Sequence, residues 1–107
     1  MPEKTKPTSE RARKDPEAIL VKLFGSTSRA RILTFLCSHS GASFYQRQIM
    51  FETGLSLQAA QRELANLVDI GIVNMRQTKN RAYYEMNAKS AFFKPLIEIC
   101  GSWLQDG

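Results

Sequence analysis

Two helix-length segments within residues 46–73, QRQIMFETGLSLQAAQRELANLVDIGIV, are separated only by Gly54, Leu55 and Ser56. A link this short forces the second helix back across the first at a steep angle. Gly54 can take the left-handed conformation that ends a helix without a Cβ clash. Leu55 is placed to plug the junction, and Ser56 to cap the following helix. Ala60, Leu64, Leu67 and Val68 then recur at i, i+4, i+7 and i+8, one face of a helix that ends at Gly71. Ala60 is small enough to let the two helices approach closely. The opposite face carries Gln58, Gln61, Arg62, Ala65 and Asp69, with Glu63 further round.

The flanks extend this unit in both directions. Asp15-Pro16 predicts a helix start, with Asp15 as cap and Pro16 at the first helical position. Ala18, Ile19, Leu20, Val21, Leu23 and Phe24 follow, broken only by Lys22, and Gly25 stops the run. A second helix is predicted over 27–38 on the stripe Ile32, Leu33, Leu36. Ser43-Phe44-Tyr45 reads as a minimal strand. Beyond Gly71, residues 72–78 and 82–87 read as two strands, with Lys79-Asn80-Arg81 as the turn between them. After Ser90 the chain returns to helix, where Pro95 is tolerable only in the first turn. The order is helix, helix, small strand, helix, helix, hairpin, helix. It predicts a mainly α fold with a small β-hairpin wing, a winged helix-turn-helix, over residues 15–107. Residues 1–14 hold two prolines and seven charges with almost nothing apolar, and predict a flexible basic tail.

Composition narrows the function classes. Fifteen basic against ten acidic residues give a formal charge of +5 and a pI near 9.5, which favours phosphate-bearing partners. No apolar run approaches the roughly 18 residues that span a bilayer, and the charged N-terminus has no apolar stretch behind it. These features predict a cytoplasmic protein without a membrane partner. A single histidine, His39, and the lack of a nucleophile motif or glycine-rich phosphate loop argue against an enzyme and against a cofactor. Cys37 and Cys100 match no disulfide or zinc-finger spacing and read as buried thiols.

The same residues predict how double-stranded DNA would be held. The major groove admits one α-helix, and the first half of helix 56–71 would enter it. Ser56, Leu57, Gln58, Ala59, Gln61 and Arg62 are the candidates there. Glutamine can pair doubly with adenine and arginine with guanine, whereas Leu57 and Ala59 offer only apolar contact. The hairpin would act as the wing, its Arg76, Lys79, Asn80 and Arg81 meeting phosphates or the minor groove. Arg47, at the positive end of the supporting helix, is suited to a backbone phosphate.

These stretches resemble a known family. SFYQRQIMFETGLSLQAAQRELANLVDIGIV, followed by KNRAYYEMN and preceded by LFGSTSRARIL, is similar to the ArsR-like winged helix-turn-helix transcriptional regulators over about residues 19–100. A subset with an FY-x-R-x-I opening and a QREL core is closer still, and some of its members pair with nucleotidyltransferases. The resemblance implies a DNA-binding dimer, repression as the expected sense of regulation, and a nucleotidyltransferase-type protein as a possible partner. Metal-sensing members carry a Cys-x-Cys element before the reading unit. Cys37-x-His39 is the nearest approach here, and no metal site is predicted.

A homodimer is also expected from the surplus of apolar residues at the two ends. Ile19, Leu20, Leu23 and Phe24 in the first helix, with Leu96, Ile99, Cys100, Trp103 and Leu104 in the last, exceed what the central core needs. Two alternatives share this fold: a winged helix serving protein contact alone, and a DNA-binding sensor that responds to thiol chemistry or metal.

Overall fold

The computed structural model describes residues 16–106. Five helices and three short strands run in the order α1 (Pro16–Phe24), α2 (Thr27–Ser38), β1 (Phe44–Tyr45), α3 (Gln46–Thr53), α4 (Leu57–Asp69), β2 (Val73–Gln77), β3 (Ala82–Met86) and α5 (Phe93–Asp106). Each boundary has a local cause. Pro16 opens α1 where its missing N–H costs nothing; its expected cap, Asp15, and the tail 1–14 lie outside the described residues. Ser26 Oγ accepts the Arg29 N–H at 3.1 Å and starts α2. The α3 start is fixed by Tyr45, whose N–H donates to Gln48 Oε1 at 3.0 Å. Ser56 Oγ accepts the Ala59 N–H at 3.2 Å and starts α4. Pro95 falls in the first turn of α5, where a proline is accommodated.

The helix-turn-helix angle is made at Gly54. Its φ of 71° and ψ of 19° are left-handed, and its N–H bonds the Met50 carbonyl at 2.8 Å. Leu55 then packs against the core, as its place in the link requires. At the far end of α4, the Ile72 N–H returns to the Leu67 carbonyl at 3.0 Å and aims the chain into β2. Asn87 holds that corner, with Nδ2 donating to the Gly71 carbonyl at 2.8 Å and its own N–H to the Ile72 carbonyl at 2.9 Å.

The sheet has three antiparallel strands in the order β1-β3-β2. β2 and β3 form the hairpin, with Val73 opposite Met86 and Gln77 opposite Ala82. Sequence reading recovered the hairpin but not the third strand's partner: Phe44 pairs with Tyr84 and Tyr45 with Tyr83. The wing is thereby tied to the start of α3. Helix α2 lies centrally and packs against α1, α3, α4 and α5. Ile32, Leu33, Leu36, Ile49, Leu64, Leu67 and Val73 are almost wholly removed from water and form the heart of one continuous core. Each such side chain contributes about 1.5–3 kcal/mol on burial, which holds α3 and α4 to α2.

Three residues expected on a partner surface are instead part of this core. Leu20, Leu96 and Cys100 are buried within the chain, because α5 and α1 both close over α2. Cys37 and Cys100 are both free and buried, and the two thiols influence each other. The neighbouring Cys100 thiol and burial push the Cys37 thiol well above its ordinary value, while the interaction with Cys37 holds Cys100 below it. Of the other expected partner residues, Leu23 is 60% exposed, and Ile19, Phe24 and Ile99 are half-buried. Phe92, just before α5, is 57% exposed. The side chains of Trp103 and Leu104 lie outside the described residues.

Candidate nucleic-acid interface

α4 buries Ala60, Glu63, Leu64 and Leu67 against the core. That packing fixes which residues it leaves to water: Leu57, Gln58, Gln61 and Arg62 are exposed and Ala59 is half-buried. Gln58, Gln61 and Arg62 stand at i, i+3 and i+4, so they share one stripe on the first half of the helix. Ser56 Oγ accepts the Ala59 N–H as the cap of α4, which shapes the helix start and leaves its own O–H free to donate. The same end of α4 is the positive end of the helix dipole, which favours an anion.

Residues far apart in sequence meet beside this face. A groove of about 560 Å³ is bounded by Gln46 and Arg47 at the start of α3, Leu57 at the start of α4, and Asn80 and Arg81 at the wing tip. Met50, Ala82, Tyr45 and Tyr84 complete its wall. Arg81 does not wave freely. Its guanidinium lies 4.4 Å from the centre of the Tyr45 ring, a cation–π contact. Tyr45 meets Tyr83 edge to face with ring centres 6.0 Å apart. The stack fixes the wing against the start of α3 and presents the cation at the groove's rim.

Lys79 and Asn80 are exposed in the turn, which closes by the Thr78 N–H bonding the Arg81 carbonyl at 2.8 Å. Arg76 is placed differently. It lies inside β2 rather than at the tip, where Nη2 donates to Ser43 Oγ at 3.3 Å and Nη1 stands 4.0 Å from Glu85 Oε1. Ser43 also donates to Glu85. Part of the Arg76 charge is therefore answered within the protein, and Arg76 is not brought into the groove with Arg47 and Arg81.

Sequence reading missed two groups that shape the site. Sequence patterning places Tyr45 and Tyr83 in strands and no further, although aromatic residues beside a basic turn are a signal for such stacking. Glu63 is expected only to lie further round from the polar face of its helix. It is in fact 5% exposed, with Oε1 2.8 Å from Arg29 Nε. The signal was present, since Glu63 follows Ala60 at i+3 and precedes Leu64 on the buried stripe. Cys37 is buried and His39 exposed, the His39 Nδ1 lying 2.9 Å from the Phe35 carbonyl. Among the described residues no group of three or more His, Cys, Asp or Glu side chains is arranged to hold a metal ion. Among them, too, no helix is long and apolar enough to cross a membrane.

No family model and no curated protein matches the chain. Solved structures do. A protein from E. coli, described as a predicted DNA-binding transcriptional regulator, is 24% identical, with a TM-score of 0.57 over 92% of this chain and 95% of that one. Reduced HlyU from Vibrio cholerae is 23% identical, with a TM-score of 0.60 over 87% of this chain and 94% of that one. Sso10a-2, a DNA-binding protein from Sulfolobus solfataricus, is 18% identical, with a TM-score of 0.54 over 71% of this chain and 77% of that one. At such identities the likeness is one of fold. The chain has a winged helix-turn-helix fold, mainly helical with a small antiparallel sheet.

Proposed function

We propose that this chain is a sequence-specific double-stranded DNA-binding transcriptional regulator of the ArsR-like winged-helix type, not an enzyme, and that it acts as a homodimer. One observation carries the reading. The fold gathers Arg47 from the start of α3 and Asn80 and Arg81 from the wing tip around a single groove that also takes in Leu57, at the start of the helix that carries the exposed Gln58–Gln61–Arg62 stripe. Cations that flank a polar helix face at this spacing suit the two parts of a DNA contact, anchoring on phosphate and reading of base edges.

In this reading the first half of α4 enters the major groove. Arg62 pairs with guanine, Gln58 and Gln61 pair with adenine, and Leu57 meets a thymine methyl. Lys79 and Arg81 hold the backbone from the wing, and Arg47 holds it from the start of α3, where the positive end of the helix dipole adds to the attraction. The exposed Leu23 and Phe92, with Ile19 and Ile99 beside them, form the apolar surface through which two copies would associate. A two-fold pair would set its reading helices roughly 34 Å apart on a near-palindromic site. The ArsR-like assignment is supported by the LFGSTSRARIL and QREL stretches.

A mobility-shift assay with random-sequence duplex across a salt series tests the proposal. Three phosphate contacts per protomer, from Arg47, Lys79 and Arg81, make about six per dimer and a log–log slope near −5. Affinity should therefore fall about 10³-fold between 50 and 200 mM salt. Absence of binding at low salt, or binding indifferent to salt, refutes it. One observation favours a second reading, contact with another protein: Phe51 is 83% exposed beside a groove lined by Phe35, His39 and Phe44. A silent DNA assay with intact folding would turn attention to that face.

A further inference from the structure

Glu63 is the only charged side chain buried among the described residues, and it sits in α4 between Arg62 and Leu64. A carboxylate there must be answered, and Arg29 of α2 answers it, Nε to Oε1 at 2.8 Å. Two residues on, Arg31 makes a second pair of contacts. Its Nη1 donates to the Thr53 carbonyl at 3.3 Å, and its Nε donates to Glu17 Oε2 of α1 at 2.8 Å. Thr53 ends α3, where the last carbonyls lack helical partners and a cation is favoured. Arg31 Nη1 also lies 3.8 Å from where a Cβ on Gly54 would stand, right beside the helix-turn-helix link. Residues 29 and 31 point about 200° apart around α2, so each arginine serves a different helix of the reading unit.

We propose that Arg29 and Arg31 are positioning residues for DNA reading: Arg29 sets the roll of α4 through Glu63, and Arg31 sets the end of α3 through the Thr53 carbonyl. The inference rests on the DNA-reading function proposed above. The apolar stripe Ala60–Leu64–Leu67 sets the roll only coarsely, because hydrophobic attraction has no direction. A charge-assisted hydrogen bond has one. The tolerance is small: a roll of about 20° carries a side-chain tip about 5–6 Å from the helix axis through about 2 Å. That is enough to break a hydrogen bond from Gln58 or Arg62 to a base. Neither arginine need touch DNA, since both are turned onto protein acceptors. Specificity is set here by two cations that make no base contact.

The test begins by enriching a preferred duplex from a random pool with the wild-type chain. Affinities for that duplex and for a scrambled one are then measured for Arg29→Gln, Glu63→Gln, Arg31→Gln and Arg29→Lys, with a thermal melt of each. The expected result is a loss of about tenfold or more in the selected-to-scrambled ratio for the three glutamine variants, the size of one misplaced base contact. Scrambled-duplex affinity should stay within about threefold, because phosphate contacts carry it. Arg29→Lys keeps a cation within reach of Glu63 and should recover most of the ratio. Combining Arg29→Gln with Glu63→Gln should cost no more than the worse single change, as for partners in one interaction. An unchanged ratio in folded variants overturns the proposal, and so does a parallel fall of both affinities with the melting temperature. If Glu63→Gln fails to fold, Arg31→Gln decides, since Arg31 is 41% exposed and its loss leaves no buried charge. A wild type that binds duplex but enriches no sequence refutes base reading itself and this inference with it, a result distinct from a lost ratio in the variants alone.

Discussion

Replacing Gly54 by alanine should weaken the helix-turn-helix without disturbing any packed side chain, and the size of the effect follows from its backbone. With φ at 71° and ψ at 19°, residue 54 is left-handed, and an L side chain there costs about 1–2 kcal/mol. The new methyl adds no clash, since the nearest atom, Arg31 Nη1, would be 3.8 Å away. A restricted unfolded chain returns a few tenths of a kcal/mol, so a net loss of about 1 kcal/mol is expected. For a domain this size that lowers the melting temperature by about 4–8 °C. Gly101 is the internal control. It is helical, has no positive φ, and its Cβ would meet only Ile97 Cγ2 at 4.0 Å. Gly101→Ala should therefore stabilise by about 0.5–1 kcal/mol. Urea melts of both variants at matched pH and salt provide the comparison. If Gly54→Ala is as stable as wild type, or if both substitutions shift stability in the same direction, the backbone account of the turn is wrong.

Alanine at Gln58 or Arg62 should cost about 1–3 kcal/mol in DNA binding and blur preference at particular base positions. Alanine at Lys79 or Arg81 should weaken all duplexes alike, and competition against a panel of single-base variants separates the two. Leu23→Glu with Phe92→Glu should convert a micromolar dimer to monomer by light scattering, because it places charge on the exposed apolar surface; a wild type that is already monomeric would remove the dimer. Cys37 and Cys100 should react with a thiol reagent far more slowly in native than in urea-unfolded protein, access outweighing acidity. Fast native modification would show that the helices around them open.

How legible the fold was depended on distance along the chain. Ser56 as a cap, the left-handed Gly54, the buried Ala60–Leu64–Leu67 stripe and the 73–77/82–86 hairpin all follow from residues within a turn or two of each other. Local propensity and patterning determine such features, and the sequence displays them directly. What escaped involved partners brought together only by tertiary packing. The pairing of Phe44 with Tyr84 and of Arg29 with Glu63 spans dozens of residues, with no periodic signal to announce it. Leu20, Leu96 and Cys100 looked surplus because the space over α2, which α1 and α5 fill together, cannot be measured from one dimension. For the candidate site, residue types were readable but placement was not. Arg76 and Arg81 are five apart in sequence, yet one is paired along the sheet and the other stacks on Tyr45 at the groove.

The central claim is that one face, made by the start of α4, the start of α3 and the wing tip, meets duplex DNA. A heteronuclear NMR titration of the labelled chain with a short duplex at low salt tests it directly. The account predicts amide shifts concentrated at Arg47, at Leu57 to Arg62 and at Lys79 to Arg81, fading as salt rises. Shifts concentrated on α1 and α5 with those residues unmoved, or no shifts at all, would contradict it.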